Sequence, residues 1–220
     1  MTIDWAKFIP HLIHDVRALM RKGQVNAQML ERKIGPGLDT DAAEHLRLSI
    51  EAQRDVGQLL ARVGTLLEAG QPRAGLESLD LEAVILGAKL ASKDALAQSG
   101  GQIVIGEIPP CKVPLQLQRV LGELIENSIR FRDPVRPLRI SLESHTGDRL
   151  EISISDNGSG WNPDYAAKLF EPFQRLDAHR SGIGLGLAIA RALTESAGGT
   201  ILCSADTSGA RFVIALPLVT

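Results

Sequence analysis

Cysteine is scarce: Cys111 and Cys203 stand far apart, and no histidine or further cysteine is spaced to complete a metal site around either. That excludes a zinc module or a disulfide scaffold and predicts a reduced thiol pair. A basic surplus is missing too, since 24 Lys and Arg face 26 Asp and Glu, leaving a formal charge of −2 and a pI near 6.2. Without spare cations to neutralise phosphates, no nucleic-acid partner is expected. Nowhere is there an uninterrupted apolar run of about 18 residues, and the N-terminus has no charged-then-apolar leader. The expectation is a soluble, cytoplasmic chain without membrane contact.

What is present divides in two. From Phe8 to Ile34 the residues Ile13, Val16, Met20, Ala27, Leu30 and Ile34 recur at helical spacing, with Gly23 on the same stripe. Gly35-Pro36-Gly37 breaks that helix, and Asp39 and Thr40 offer caps for a second one to about Glu68, striped by Leu46, Ile50, Val56, Leu60, Val63 and Leu67. A helical hairpin with an apolar seam needs a cover, and a second copy supplies it; a homodimer built as a four-helix bundle is predicted. The polar, glycine- and proline-bearing stretch after Ala69 marks a boundary, giving a hairpin over 1–69, a linker over 70–79 and a second domain over 80–220. There, Leu81 to Gln98, Leu115 to Arg132, Pro163 to Leu169 and Gly186 to Ala197 read as helices. Ile103 to Ile108, Leu138 to Ser144, Leu150 to Ser155, Thr200 to Ser204 and Ala210 to Leu216 read as strands. The whole is α+β, with a largely antiparallel sheet in the second domain.

Four short motifs fall in order within about 65 residues of that domain. In Glu123-Leu124-Ile125-Glu126-Asn127, Glu123 and Asn127 share a helical face; the Asn127 amide oxygen is either part of a solvated stripe or a hard ligand for Mg²⁺. Asp156-Asn157-Gly158-Ser159-Gly160 ends a strand with a carboxylate and two glycines. It spells a turn, and equally a place where a flat base approaches the backbone while the acid accepts from an exocyclic amine. Phe170 and Phe173 in Leu169-Phe170-Glu171-Pro172-Phe173 are core or the anchor of a mobile loop. Gly182-Ile183-Gly184-Leu185-Gly186 opens a helix and aims free N–H groups at an anion, although it lacks the Lys-Ser/Thr of a P-loop.

Taken as an ordered set, these motifs resemble the catalytic core of two-component sensor histidine kinases over nearly the whole chain, and in particular the kinase modules of phytochrome-like sensors, through Asn127-Ser128-Ile129-Arg130-Phe131-Arg132 and Phe173-Gln174-Arg175-Leu176. The resemblance implies a dimerisation and phosphoacceptor hairpin followed by an α/β-sandwich ATP-binding domain. It makes Glu123 to Phe131, with Asn127, Arg130 and Phe131, the N box, and Asp156, Gly158 and Gly160 the adenine-reading glycine box. Phe170 and Phe173 become the F box, and Gly182, Gly184, Leu185 and Gly186 the second glycine box. Asn127 would carry Mg²⁺, residues 174–181 would form a lid, and Arg175, His179 and Arg180 there would meet the triphosphate of ATP.

Two histidines lie three apart on the first helix, His11 and His14. His14 is nearly opposite Val16 on the helical wheel and precedes Asp15, and the resemblance makes it the phosphoacceptor, with Asp15 taking its proton. The phosphoryl group would then pass to an aspartate on a receiver domain of a response regulator. Departures from the family include Leu19 where proline is usual, Ala18 where Thr or Asn serves dephosphorylation, and Glu123 where many kinases have asparagine. That glutamate leaves open an ATP-hydrolysing clamp, and a phosphotransfer adaptor with a vestigial ATP domain is a further alternative. Only seven residues precede Phe8, so sensory input is expected from a separate or missing element.

Overall fold

The structure, a computed structural model, describes residues 5–34, 37–70, 78–175, 182–206 and 208–218. It separates into two compact units, Met1–Glu68 and Ala69–Thr220. In the first, α1 spans Trp5–Ile34 and α2 spans Thr40–Ala69. The Asp39 carboxylate accepts from the Ala42 N–H at 2.8 Å and so caps α2. Ile13 and Ile50 are buried along the seam. Beside them Arg17 donates to the Leu60 carbonyl at 3.1 Å. Glycine leaves that guanidinium its space, because a Cβ on Gly64 would lie 3.1 Å from it; a Cβ on Gly23 would likewise lie 3.3 Å from the Gln53 amide oxygen. Other stripe positions, Leu30, Ile34 and Val56, stay exposed in the single chain, as do Leu19 and Met29.

The second unit is a two-layer sandwich. Its five-stranded sheet runs β2 (Gln102–Ile105), β4 (Arg139–Thr146), β5 (Arg149–Asp156), β7 (Gly209–Pro217), β6 (Thr200–Asp206). All pairings are antiparallel except β2 with β4, which is parallel. Alternation puts Ile140, Leu142, Ile152, Ile154, Phe212 and Ile214 on one buried face. Against it pack α3 (Leu81–Ala91), α5 (Gln116–Arg130) and α6 (Gly186–Ser196), through Val84, Leu121, Leu124, Ile125, Ile189 and Leu193, all buried. Each such aliphatic side chain contributes about 1.5–3 kcal/mol on burial.

Three expectations need correction. The helix expected from Leu81 to Gln98 breaks at Ser92 into α3 and α4 (Lys93–Ser99); the Ser92 hydroxyl donates to the Ala88 carbonyl at 3.0 Å, in competition with the helical ladder. Pro163 to Leu169 forms only a short 3-10 turn over Pro163–Tyr165, capped by Asn162. Part of the expected linker is a strand, β1 (Ser78–Asp80), which pairs with β3 (Lys112–Pro114) in a small second sheet.

Gly122 sits inside α5, and among the described residues nothing outside its own helix lies within 4 Å of where a Cβ would stand. Gly122→Ala is therefore expected to stabilise this unit by up to about 1 kcal/mol, read as a higher unfolding midpoint; a lower midpoint would count against open space there. Both cysteines are free thiols. Burial pushes each above the ordinary thiol range, so at pH 8 both should react with a maleimide more slowly than a short peptide thiol does. Equal rates would contradict the burial.

Candidate functional site

The end of β5 delivers Asp156 between β4 and β7, opposite Ile140 and Ala210. One carboxylate oxygen accepts from the Gly158 N–H at 2.9 Å and the Ala210 N–H at 3.3 Å. The other accepts from the Ser128 hydroxyl at 2.7 Å. A carboxylate offers about four lone-pair positions, so these donors leave one acceptor position, on the oxygen that faces Ser128. The strand alternation that places Asp156 here is the same one that buries Ile152 and Ile154.

The glycine turn after Asp156 is fastened to the end of α5. Both the N–H and the hydroxyl of Ser159 donate to the Phe131 carbonyl, each at 3.0 Å. A Cβ on Gly158 would lie 2.7 Å from that same carbonyl, which is why no larger residue fits. Behind the turn the Asn157 amide bridges strand and loop, accepting from the Arg139 N–H at 2.7 Å and donating to the Pro137 carbonyl at 2.9 Å. Arg136 donates to the Gly158 carbonyl at 3.1 Å and pairs with Asp133 at 3.0 Å. The Val135 N–H, aided by Arg136, holds the Asp133 carboxyl below its usual range. Gly160 takes a positive φ of 61°.

Along α5, Leu117, Val120, Leu121, Leu124, Ile125 and Ser128 are buried, and this periodicity leaves Asn127 and Arg130 half-buried at the helix edge. Glu123 is buried, with a carboxylate oxygen 3.6 Å from Arg119. Arg130 pairs with Glu126. Its guanidinium also lies against Gly182, where a Cβ would come within 2.7 Å of it. The structure thus brings Arg130 to the second glycine turn. That turn is closed by the Phe173 N–H donating to the Gly184 carbonyl at 2.8 Å. Gly182 and Gly184 have φ of 131° and 74°, and a Cβ on Gly184 would meet the Gln174 carbonyl at 2.6 Å. Leu185 is buried, and α6 starts at Gly186 with no cap from the Leu185 side chain; a helix start of this kind presents N–H groups that suit an anion.

Phe170 is core: it is buried, edge-on to Phe212 with ring centres 6.4 Å apart. Phe173 is exposed and has a φ of 67°. Trp161 also rests on Phe212, with centres 5.5 Å apart. Trp161, Ser128, Asn157 and Arg136 were not singled out from the sequence, although the run Asp156 to Trp161 spells two of them. Arg175 is exposed; His179, Arg180 and most of the expected lid lie outside the described residues. In the other unit, His14 and Asp15 are largely exposed, and His14 Nδ1 is 3.1 Å from the Asp15 carboxylate.

A helix-backed mixed sheet with an acid, an amide and two glycine turns gathered near one end defines an ATPase-type sandwich. Residues 112–220 match the family described as histidine kinase-, DNA gyrase B- and HSP90-like ATPases. Across 98% of its length the chain is 28% identical to the phytochrome-like protein Cph1 of Synechocystis, covering 29% of that protein. It is 25% identical to the alginate biosynthesis sensor protein KinB of Pseudomonas aeruginosa over 97% of the chain and 37% of that protein. The fold superposes on full-length ShkA, crystallised with AMPPNP, with a TM-score of 0.80 at 22% identity, over 97% of this chain and 46% of that one. Acinetobacter baumannii AdeS gives a TM-score of 0.64 at 24% identity, over 89% of this chain and 95% of that one. Residues 112–220 belong to that ATPase family, and the likeness of the whole chain to these sensor proteins supports a sensor histidine kinase catalytic core. It spans about a third of the length of the curated relatives it matches. Among the described residues no helix is long and apolar enough to cross a membrane.

Proposed function

We propose that the chain is an ATP-dependent protein-histidine kinase that phosphorylates itself on His14 and passes the phosphoryl group to an aspartate of a response-regulator receiver domain. The observation that carries this reading is the Asp156 carboxylate, held by three donors with one acceptor position left. That position suits the exocyclic amine of adenine and opposes the carbonyl that guanine presents there. Gly158 and Gly160 let the base lie against the chain, and Arg130 with the start of α6 receives the phosphates. Asn127 would hold Mg²⁺: its amide oxygen is a hard donor on the helix face it shares with Glu123, and its half-buried position at the helix edge supports this. When bound, that ion neutralises charge on the phosphates.

In the tautomer with the proton on Nδ1, His14 donates to Asp15, which turns the Nε2 lone pair outward as the nucleophile. The N–P bond forms at Nε2 as the bond from γ-phosphorus to the bridging oxygen breaks. ADP leaves, and Asp15 takes the Nδ1 proton. Positioning and charge neutralisation supply most of the acceleration. Residues 1–69 act as the phosphoacceptor and dimerisation hairpin, 70–77 as a linker and 78–220, from β1 onward, as the ATP-binding domain. The exposed Leu19, Met29, Leu30 and Ile34 support a homodimer that buries them. The kinase works in the cytoplasm on input from a sensory element elsewhere.

Incubation of the purified chain with γ-labelled ATP and Mg²⁺ tests this reading. Label that is stable in alkali and lost in acid is expected. Label that survives acid, or none on a chain that binds ATP, would sink it.

A further inference from the structure

Ser128 is almost wholly buried, at 1% exposure, on the core-facing side of α5. Its hydroxyl carries one proton and has two acceptors in reach, the Leu124 carbonyl at 3.2 Å and the Asp156 carboxylate at 2.7 Å. One proton cannot serve both at full strength. The shorter, charge-assisted contact is the stronger, and it leads from a rigid helix to the acid on which the adenine reading rests.

We propose that Ser128 is a specificity-positioning residue, which fixes the Asp156 carboxylate as a pure acceptor and thereby sets discrimination between a 6-amino and a 6-oxo purine nucleotide. The inference rests on the reading that Asp156 meets the purine 6-position. The two backbone donors, Gly158 and Ala210, act on one oxygen alone. They leave the second oxygen with no donor to fix its direction. Ser128 occupies the second oxygen with a donor. With its direction fixed in this way, the acceptor position left on that oxygen is aimed at a 6-amino donor and meets a 6-oxo group lone pair to lone pair. The residue never touches the nucleotide, so its effect passes entirely through Asp156.

The experiment measures ADP and inosine diphosphate binding calorimetrically, with Mg²⁺, for the whole chain and for Ser128→Ala, Ser128→Thr and Asp156→Asn. The two nucleotides differ only along one edge of the base, in the 6-substituent and the N1 proton that accompanies it, so general loosening of the domain lowers both affinities together and leaves their ratio alone. Ser128→Ala is expected to shrink the ADP preference by about tenfold, a change of one charge-assisted hydrogen bond. Ser128→Thr, which keeps a hydroxyl, should restore much of the ratio. Asp156→Asn, which can donate to a 6-oxo group, should collapse it. A ratio unchanged in Ser128→Ala but collapsed in Asp156→Asn overturns the role of Ser128 alone. A ratio unchanged in both overturns the reading of Asp156, and this inference with it.

Discussion

His14→Ala should abolish acid-labile label from γ-labelled ATP, a loss of roughly 10³-fold or more, while nucleotide binding stays at the wild-type level. His14 lies in the hairpin unit and the proposed nucleotide groups in the other, so removing the imidazole should take away the proposed nucleophile without disturbing the cradle. The side chain is 81% exposed and contacts only its neighbour Asp15 among the described residues, so the variant should fold normally. Asp15→Asn is the finer probe: it keeps an acceptor for Nδ1–H but is no base, and a rate loss of about 10²–10⁴ is expected. Glu123→Gln separates this chemistry from hydrolysis. If ATP turnover survived His14→Ala and vanished in Glu123→Gln, the chain would be an ATP-hydrolysing clamp, with His14 incidental.

Gly209→Ala should be the most damaging single-methyl substitution in the ATP-binding unit. Gly209 begins β7 at a φ of 148°, and a Cβ there would stand 1.8 Å from the Asp156 carbonyl oxygen and 3.0 Å from the Asn157 α-carbon. None of these atoms is the far end of a flexible side chain; they are backbone, so relief requires β5 and β7 to separate. Strain and overpacking together are expected to cost about 3 kcal/mol or more, and a domain of this size loses about 2–4 °C of midpoint per kcal/mol. Since the displaced atoms carry Asp156, ADP affinity should fall even in molecules that remain folded. An unaltered melting curve with unaltered ADP binding would mean that the strand ends splay at no cost.

Features written in consecutive residues were legible in the sequence. The helical stripe through Ile13 and Ile50, the cap at Asp39 and the alternation that buries Ile152 and Ile154 all follow from period and local chemistry. So do the two glycine turns, each of which announces its backbone in its spelling. What escaped joins distant segments. Nothing near Gln102 says that β2 runs parallel to β4, and the three residues of β1 are too few to show a period. Ser128 reads as one more small residue on a helix until the fold brings Asp156, 28 positions away, to its hydroxyl. Phe170 was as plausible a loop anchor as a core residue, and only its contact with Phe212 shows the packing. Gly209 drew no notice because the backbone it must admit belongs to another strand.

The Phe131 carbonyl, which takes both hydrogens offered by Ser159, bears on how this fold can be taken apart and rebuilt. Helix ends leave carbonyls without partners inside the helix, and here one of them serves as the mooring for a loop from a different part of the chain. The glycine signature is therefore not a portable cassette. Transplanted alone onto another sheet it would lose its acceptor at Phe131 and the brace from Arg136. A designer grafting nucleotide recognition would need to move the last turn of α5, the loop to Arg136 and the Asp156 turn as one graft, and homologous exchange within the family should respect the same seam.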